Sequence, residues 1–259
     1  MRIFTICKYF LILYTIYVIW LLEKKSKQVG ITRYIRNNDK LRLSVIIPTY
    51  EEPLETLSKT VNQFTNFPNI EVIISDSSIN RIPGITDFQR NVKIVGSVKT
   101  NIAKGRNTGA EISSGDVLVF LDADVIIEDI DAMINEINNT FYYSPFNCMI
   151  LKMKLYGSSL IDTINTMYCN MNMRWFHAGR GECIIVRKKD WNNVGGFDTS
   201  KNAGEDVHFT KSLRPIYYSE LYYVESGRRI RKLSWTKMYI EWMKTHFNNA
   251  REWDTTGRD

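Results

Sequence analysis

Short apolar runs alternate with helix-like segments from residue 41 to about residue 145. Continuous apolar runs are typical of buried strands, and apolar residues three and four positions apart are typical of helices. An order of strand, helix and strand predicts an α/β fold with a mostly parallel central sheet flanked by helices. The predicted strands are Leu43–Pro48, Ile70–Ser75, Val92–Val95 and Asp116–Leu121. The predicted helices are Pro53–Phe64 and Asp129–Phe141, and Asn101–Ile112 is predicted to be a loop that leads into a helix.

The pattern is less regular after Pro145. No internal repeat or low-complexity tract interrupts the chain, so we expect a single catalytic domain over residues 41–233. In its second half we predict strands at Cys148–Leu155, Cys183–Val186 and Tyr217–Val224, and helices at Leu160–Phe176 and Glu205–Leu213.

The N-terminal segment is strongly apolar, with Lys8 as the only charge between Ile3 and Leu22. Its length approaches the ~20 residues that span a bilayer. More Lys and Arg residues follow it than precede it, which places the following domain in the cytoplasm. We therefore expect a hydrophobic membrane-anchor helix at residues 1–22 and a basic linker at residues 23–40, with a helix lying in the membrane interface as the alternative.

The C-terminal residues 234–259 are predicted to form an amphipathic helix and tail. Apolar residues recur there at helical spacing, which fits either core packing or a membrane-surface helix. The stripe consists of Trp235, Met238, Tyr239, Trp242, Met243 and Phe247.

A net charge of +6 favours anionic partners such as nucleotides, phosphates or acidic lipids. The chain has neither a basic run interleaved with aromatic residues nor zinc-finger spacing, so we expect no nucleic-acid partner. Its four cysteines are far apart and predict no disulfide framework.

Two carboxylates, Asp122 and Asp124, end the fourth predicted strand. Residues two apart on an extended chain face the same way, and ligands of parallel sheets bind at the carboxyl ends of the strands. Paired carboxylate oxygens there suit Mg²⁺ or Mn²⁺ carrying a phosphate-bearing substrate. The alternative is that Asp124 caps the next helix.

Five motifs in this order resemble glycosyltransferase family 2, the inverting GT-A-fold enzymes that use nucleotide-sugars. The resemblance covers Leu43–Leu213 and implies a GT-A fold and a glycosyltransferase of hexosyltransferase type. The motifs are SVIIPTYEEP (Ser44–Pro53), VIISDSS (Val72–Ser78), AKGRNTGAEISSGDVLVFLDADV (Ala103–Val125), GECIIVRKKDWNNVGGFD (Gly181–Asp198) and GEDVHF (Gly204–Phe209).

The resemblance implies a nucleotide-sugar site formed by the first three motifs. An aspartate at Asp76 would accept an N–H from the base, which leaves uracil and guanine both open. The DxD motif Asp122-Ala123-Asp124 would hold Mg²⁺ or Mn²⁺, with His208 as a candidate third ligand. The other implied donor contacts are Pro48, Thr49, Tyr50, Glu51, Lys104, Arg106 and Asn107.

The resemblance also implies that Asp206 is the general base and that Glu205 orients the acceptor or Asp206. Because Asp206 begins a predicted helix, we expect its pKa to be lowered. The acceptor side would comprise Trp175, Arg180, Gly181, Glu182, Gly195, Gly196 and Phe197, and a basic flap over the diphosphate would comprise Arg228, Arg229, Arg231 and Trp235.

The sequence thus predicts a membrane-anchored, metal-dependent, inverting glycosyltransferase. It would move a sugar from a UDP- or GDP-linked donor to a hydroxyl of a glycan or lipid-linked glycan. The alternatives are a polyprenyl-phosphate sugar transferase, a nucleotidyltransferase and a non-catalytic nucleotide-sugar binder.

Overall fold

The structure is a computed structural model that describes residues 41–80, 84, 91–96, 101–157, 159–201 and 204–226. Across these ranges no helix is both long and apolar enough to cross a bilayer. The predicted membrane anchor, the linker, the basic flap with Arg228, Arg229, Arg231 and Trp235, and the C-terminal helix all lie outside these ranges.

The described residues fold into strands and helices that alternate along most of the chain. In order, they are β1 (Leu43–Thr49), α1 (Leu54–Asn62), β2 (Ile70–Asp76), β3 (Val92–Gly96), α2 (Ile102–Ile112), β4 (Val117–Leu121), β5 (Val125–Ile127), α3 (Ile130–Tyr143), β6 (Cys148–Leu155), α4 (Leu160–Trp175), β7 (Cys183–Arg187), α5 (Lys188–Val194), α6 (Glu205–Ser212) and β8 (Ile216–Glu225).

One sheet joins the strands in the order β3-β2-β1-β4-β7-β6-β8-β5. The first four strands in this order are parallel, as predicted. Strand β7 runs antiparallel to both β4 and β6, and β5 runs antiparallel to β8. The reversed β7 begins where β4 ends, since Cys183 lies opposite Leu121. The residues just before β7 therefore lie beside the DxD motif.

Helix α2 packs closely on β1 because glycines face the strand. A Cβ atom at Gly109 would lie 2.5 Å from Cγ2 of Ile46, and one at Gly105 would lie 3.3 Å from Cβ of Pro48. The close contact brings the polar residues of α2 near the carboxyl end of β1.

Two elements were missed by the sequence analysis, β5 and α5. Strand β5 has three residues, which is too short for a periodic signal. Helix α5 is capped at its C-terminus by Gly195, which adopts a left-handed conformation with φ 77°. Glycine in this conformation commonly ends a helix.

Candidate active site

The candidate site lies at the edge of the sheet where the parallel strands end. Thr49 at the end of β1 is in register with Asp76 at the end of β2. The backbone N–H of Asp122, just after β4, donates to the carbonyl of Glu182, just before β7 (3.0 Å). The donor-side and acceptor-side motifs therefore meet at this edge.

Arg106 joins the two sides from inside the protein. Its side chain is 1% exposed and donates to Asp122 Oδ1 (3.0 Å), to Glu205 Oε1 (2.9 Å) and to the carbonyl of Gly181 (2.9 Å). A buried charge is costly unless it is paired, and two carboxylates pair this one. The resemblance implied a nucleotide contact for Arg106, whereas the structure buries its guanidinium between the DxD motif and the Glu205-Asp206 pair.

Asp206 and Arg106 are linked through the backbone of one residue, Gly181. Its Oδ2 accepts the N–H of Gly181 (2.8 Å), and its Oδ1 accepts the N–H of Val207 (2.8 Å). A Cβ atom at Gly181 would lie 2.6 Å from Nη2 of Arg106, so this close approach requires glycine. The predicted base and the predicted metal ligands thus share one site.

The prediction that Asp206 has a lowered pKa is wrong. Burial and the neighbouring Glu205 together raise the pKa of Asp206 to about 6, against the opposing effects of Arg106 and the Val207 N–H. The helix N-terminus lowers a carboxyl pKa, but desolvation and a like charge outweigh it here.

The DxD carboxylates occupy different surroundings. Burial raises the pKa of Asp122 to about 7 despite the opposing charge of Arg106. Asp124 Oδ2 accepts a hydrogen bond from the hydroxyl of Ser226 (2.5 Å). The alternative role of Asp124 as a helix cap is wrong, because β5 follows it and Asp129 caps α3.

Helix α1 supports the DxD motif through contacts that the sequence analysis missed. The Thr60 hydroxyl donates to the carbonyl of Ala123 (2.8 Å). The amide of Gln63 donates to the carbonyl of Val125 (3.0 Å) and accepts the N–H of Ile127 (2.7 Å). Gln63 thereby pairs with β5, an edge strand of the sheet. No local sequence signal marks contacts between residues so far apart in the chain.

The carboxylates of Asp122 and Asp124 fit a Mg²⁺ or Mn²⁺ ion. These hard cations are commonly held by one or two carboxylates together with substrate phosphates and water. Asp122 keeps 26% of its side chain exposed. Among the described residues no three His, Cys, Asp or Glu side chains form a metal cage, so the exposed His208 of α6 is not brought to the two aspartates as a third ligand.

The predicted nucleotide-binding residues gather around the ends of β1 and β2. Asp76 Oδ1 accepts the N–H of Ser78 (3.0 Å), and the Ser78 hydroxyl accepts the N–H of Glu51 (2.7 Å). Glu51 has a positive φ of 51°. Lys104 lies in the first turn of α2, beside the Gly105 contact with β1. Base recognition by Asp76, and nucleotide contacts by Pro48, Thr49, Tyr50, Glu51 and Lys104, stay predictions.

Asn107, the other predicted nucleotide contact on α2, faces the acceptor side. Its Oδ1 accepts the N–H of Phe197 (2.9 Å), and its Nδ2 donates to the carbonyl of Phe197 (2.8 Å). Gly195 and Gly196, which immediately precede Phe197, have φ angles of 77° and 75°. The amide of Asn107 therefore holds the GGFD turn.

The other acceptor-side residues divide into paired, buried and exposed groups. The guanidinium of Arg180 pairs with Glu182 (3.1 Å from Nε), contacts Glu225 (3.5 Å) and donates to Cys169 Sγ (3.0 Å). The Phe197 ring is buried and stacks on that of Phe209. Trp175 is 62% exposed at the end of α4, so stacking on a sugar stays a prediction.

The fold of the described residues is the GT-A type that the sequence predicted. The chain is similar to a mannosyltransferase from Pyrobaculum calidifontis in complex with GDP-Man and Mn²⁺, with a TM-score of 0.62 and 17% identity over 88% of this chain and 71% of that one. It is also similar to residues 1–349 of TarS from S. aureus in complex with UDP-GlcNAc, with a TM-score of 0.53 and 21% identity over 71% of this chain and 58% of that one.

Residues 44–147 match the model of glycosyl transferase family 2. The chain is similar to an uncharacterized glycosyltransferase of Haemophilus influenzae, with 29% identity over 184 residues. The match covers 66% of this chain and 61% of that relative.

Proposed function

We propose that this chain is an inverting glycosyltransferase that moves a sugar from a nucleotide diphosphate donor to an acceptor hydroxyl. One observation carries the proposal: Arg106 bridges Asp122 and Glu205, and it is linked to Asp206 through the backbone of Gly181. This arrangement supports a donor held at the DxD motif with a carboxylate base within the reach of one sugar. The match to the family 2 model supports the same chemistry.

The proposed reaction forms a bond between the acceptor oxygen and the anomeric carbon while the bond to the diphosphate breaks. Asp206 takes the proton of the acceptor hydroxyl as the oxygen attacks. A base is most effective when its pKa lies near the working pH. The pKa of Asp206 is raised to about 6, which is close to that range. A divalent cation held by Asp122 and Asp124 would stabilise the negative charge of the departing diphosphate.

The proposed donor is UDP- or GDP-linked. The two similar structures contain GDP-Man in one case and UDP-GlcNAc in the other. Because Asp76 can accept an N–H from either base, the proposal covers both donors.

The proposed acceptor is a hydroxyl of a glycan or lipid-linked glycan. Glu205 and Asp206 lie side by side at the start of α6, and their negative charges disfavour an anionic phosphate acceptor more than a neutral hydroxyl. We also propose a membrane location with the catalytic domain in the cytoplasm, supported by the apolar segment 3–22 and the basic residues after it.

Asp206→Asn tests the proposed base. The amide keeps the size of the side chain but cannot take a proton, so we expect donor turnover to fall by roughly 10²–10⁴-fold while nucleotide affinity stays unchanged. Release of nucleoside diphosphate from UDP- and GDP-sugars with Mn²⁺ measures turnover, and calorimetry measures affinity.

Asp116→Asn is the matched control, since Asp116 immediately precedes β4, at the end opposite the site. We expect it to leave turnover unchanged. Equal turnover of wild type and Asp206→Asn would contradict the assignment of the base. Release of inorganic pyrophosphate instead of nucleoside diphosphate would indicate nucleotidyl transfer.

A further inference from the structure

Asn107 is bound to the acceptor side through both polar atoms of its amide. The residue is 9% exposed. It accepts from the N–H and donates to the carbonyl of the same residue, Phe197, much as a neighbouring strand residue would. Two hydrogen bonds to the N–H and the carbonyl of one residue fix both the distance and the orientation of its backbone.

Two more side chains of this helical segment hold the same part of the chain. Nδ2 of Asn101, the N-cap of α2, donates to the carbonyls of Thr199 (2.8 Å) and Lys201 (3.3 Å). Arg106 pairs with Glu205, the first residue of α6. Helix α2 thus holds the polypeptide at several points between the GGFD turn and the helix that carries Asp206.

Helix α2 is itself fixed against the donor side of the sheet. Gly105 and Gly109 allow it to lie directly on Pro48 and Ile46 of β1. Interiors packed this closely transmit displacements rather than absorbing them. The position of the GGFD turn is therefore set relative to β1, where the nucleotide is predicted to bind.

We propose that Asn107 is a positioning residue for the acceptor side: it fixes the turn Gly195–Phe197 and, through it, the approach to Asp206, and it does not bind the nucleotide. The inference rests on the proposed function. It replaces the nucleotide contact that the resemblance implied for this residue.

The chain contains a matched control for Asn107. Asn170 of α4 is 5% exposed. Its Oδ1 accepts the N–H of Met153 (2.7 Å), and its Nδ2 donates to the carbonyl of Met153 (2.8 Å). Substitution of either asparagine removes the same two hydrogen bonds between a helix and the backbone of one residue, but only Asn107 holds the GGFD turn.

The test compares Asn107→Leu with Asn170→Leu in the full-length chain. We expect both variants to lose a similar amount of thermal stability. Only Asn107→Leu should lower kcat, by roughly 10²-fold, because a small misplacement of catalytic groups is that costly. Its donor KM and its affinity for UDP or GDP with Mn²⁺ should stay within about twofold of wild type, since about 0.4 kcal/mol corresponds to that factor.

Hydrogen exchange gives a second readout that needs no turnover. We expect amides of Gly195–Lys201 to exchange faster in Asn107→Leu than in wild type or Asn170→Leu. Should Asn107→Leu fail to fold, Asn107→Asp and Asn170→Asp repeat the comparison, since each keeps the side-chain size and sets an oxygen against the backbone carbonyl.

Three outcomes would overturn the inference: unchanged exchange over Gly195–Lys201, a nucleotide affinity reduced about tenfold or more, or an equal loss of kcat in the two asparagine variants. Absence of turnover in wild type with every UDP- and GDP-sugar would instead defeat the proposed function. The exchange comparison would then still decide whether Asn107 positions this turn.

Discussion

At the residue scale, Arg106 determines how the site is assembled. Its guanidinium is surrounded by groups from three different parts of the sequence, namely Asp122, Gly181 and Glu205. The ring of Phe197 lies 5.2 Å below it. One buried cation therefore satisfies two carboxylates that would otherwise repel each other.

Arg106→Met should strongly destabilise the protein. The methionine fills much of the volume but leaves Asp122 and Glu205 without their buried counter-charge, so we expect a loss of about 3–5 kcal/mol in the free energy of unfolding. Chemical denaturation measures this loss. Arg42→Met is the control: its ion pair with Asp116 is exposed, and such pairs contribute about 0–1 kcal/mol. A similar loss in both variants would show that the bridge does not stabilise the fold.

At the element scale, Glu71 of β2 ties together strands at the end of the sheet opposite the site. It accepts from the hydroxyl of Ser44 on β1, from Lys93 on β3 (2.7 Å), and from the backbone N–H groups of Ser114 (2.5 Å) and Gly115 (3.2 Å) before β4. Burial raises the pKa of Glu71, but the hydrogen bonds outweigh it and lower the pKa to about 2.

Glu71→Gln should remove a pH-dependent part of the stability. A carboxyl whose folded-state pKa is lowered contributes stability above its unfolded pKa of 4.5, and this contribution is lost as the pH falls through the folded value near 2. We expect the variant to lose roughly 2 kcal/mol at pH 7, with the difference from wild type shrinking below pH 4.5. Unfolding curves between pH 7 and pH 2 measure it.

Glu55→Gln is the control for this prediction, because the exposed Glu55 pairs with Lys59 within α1 and with no other described residue. Because this exposed ion pair contributes little, the unfolding free energy of the variant should stay close to that of wild type at each pH. A pH-independent gap between Glu71→Gln and wild type would contradict the assigned pKa.

At the whole-molecule scale, the sequence predicted the strands and helices better than the contacts between them. The apolar run before Asp122 identified β4 and the edge where ligands bind, because burial of a strand leaves a local pattern. The nucleotide contacts implied for Arg106 and Asn107 gave no hint of their partners Glu205 and Phe197, which lie 99 and 90 residues away. The same distance hid the support of the DxD motif by Thr60 and Gln63.

The charge of the site is opposite in sign to that of the whole chain. The chain carries a net charge of +6, yet carboxylates outnumber guanidinium groups at the described site. Arg106 and Arg180 lie among carboxylates and contribute to ion pairs with them. Those carboxylates belong to Asp122, Asp124, Glu182, Glu205, Asp206 and Glu225.

Removal of divalent cations should therefore weaken diphosphate binding selectively. A donor diphosphate approaching this edge meets like charge unless a cation lies between it and the aspartates. We expect a chelator to lower the affinity for UDP or GDP by roughly tenfold or more, while the affinity for uridine or guanosine, which lack phosphate, stays unchanged. Calorimetric titrations with and without Mn²⁺ measure both.

Asp124→Ala should reproduce the effect of the chelator when Mn²⁺ is present, because it removes one of the two predicted ligands. Asp131→Ala is the matched control, since this exposed aspartate lies in the first turn of α3. If a chelator weakened the binding of nucleosides and nucleoside diphosphates equally, the cation would stabilise the fold and not the bound diphosphate. Diphosphate binding independent of Mn²⁺ in wild type would mean that basic groups, and not a cation held by the DxD pair, neutralise the donor.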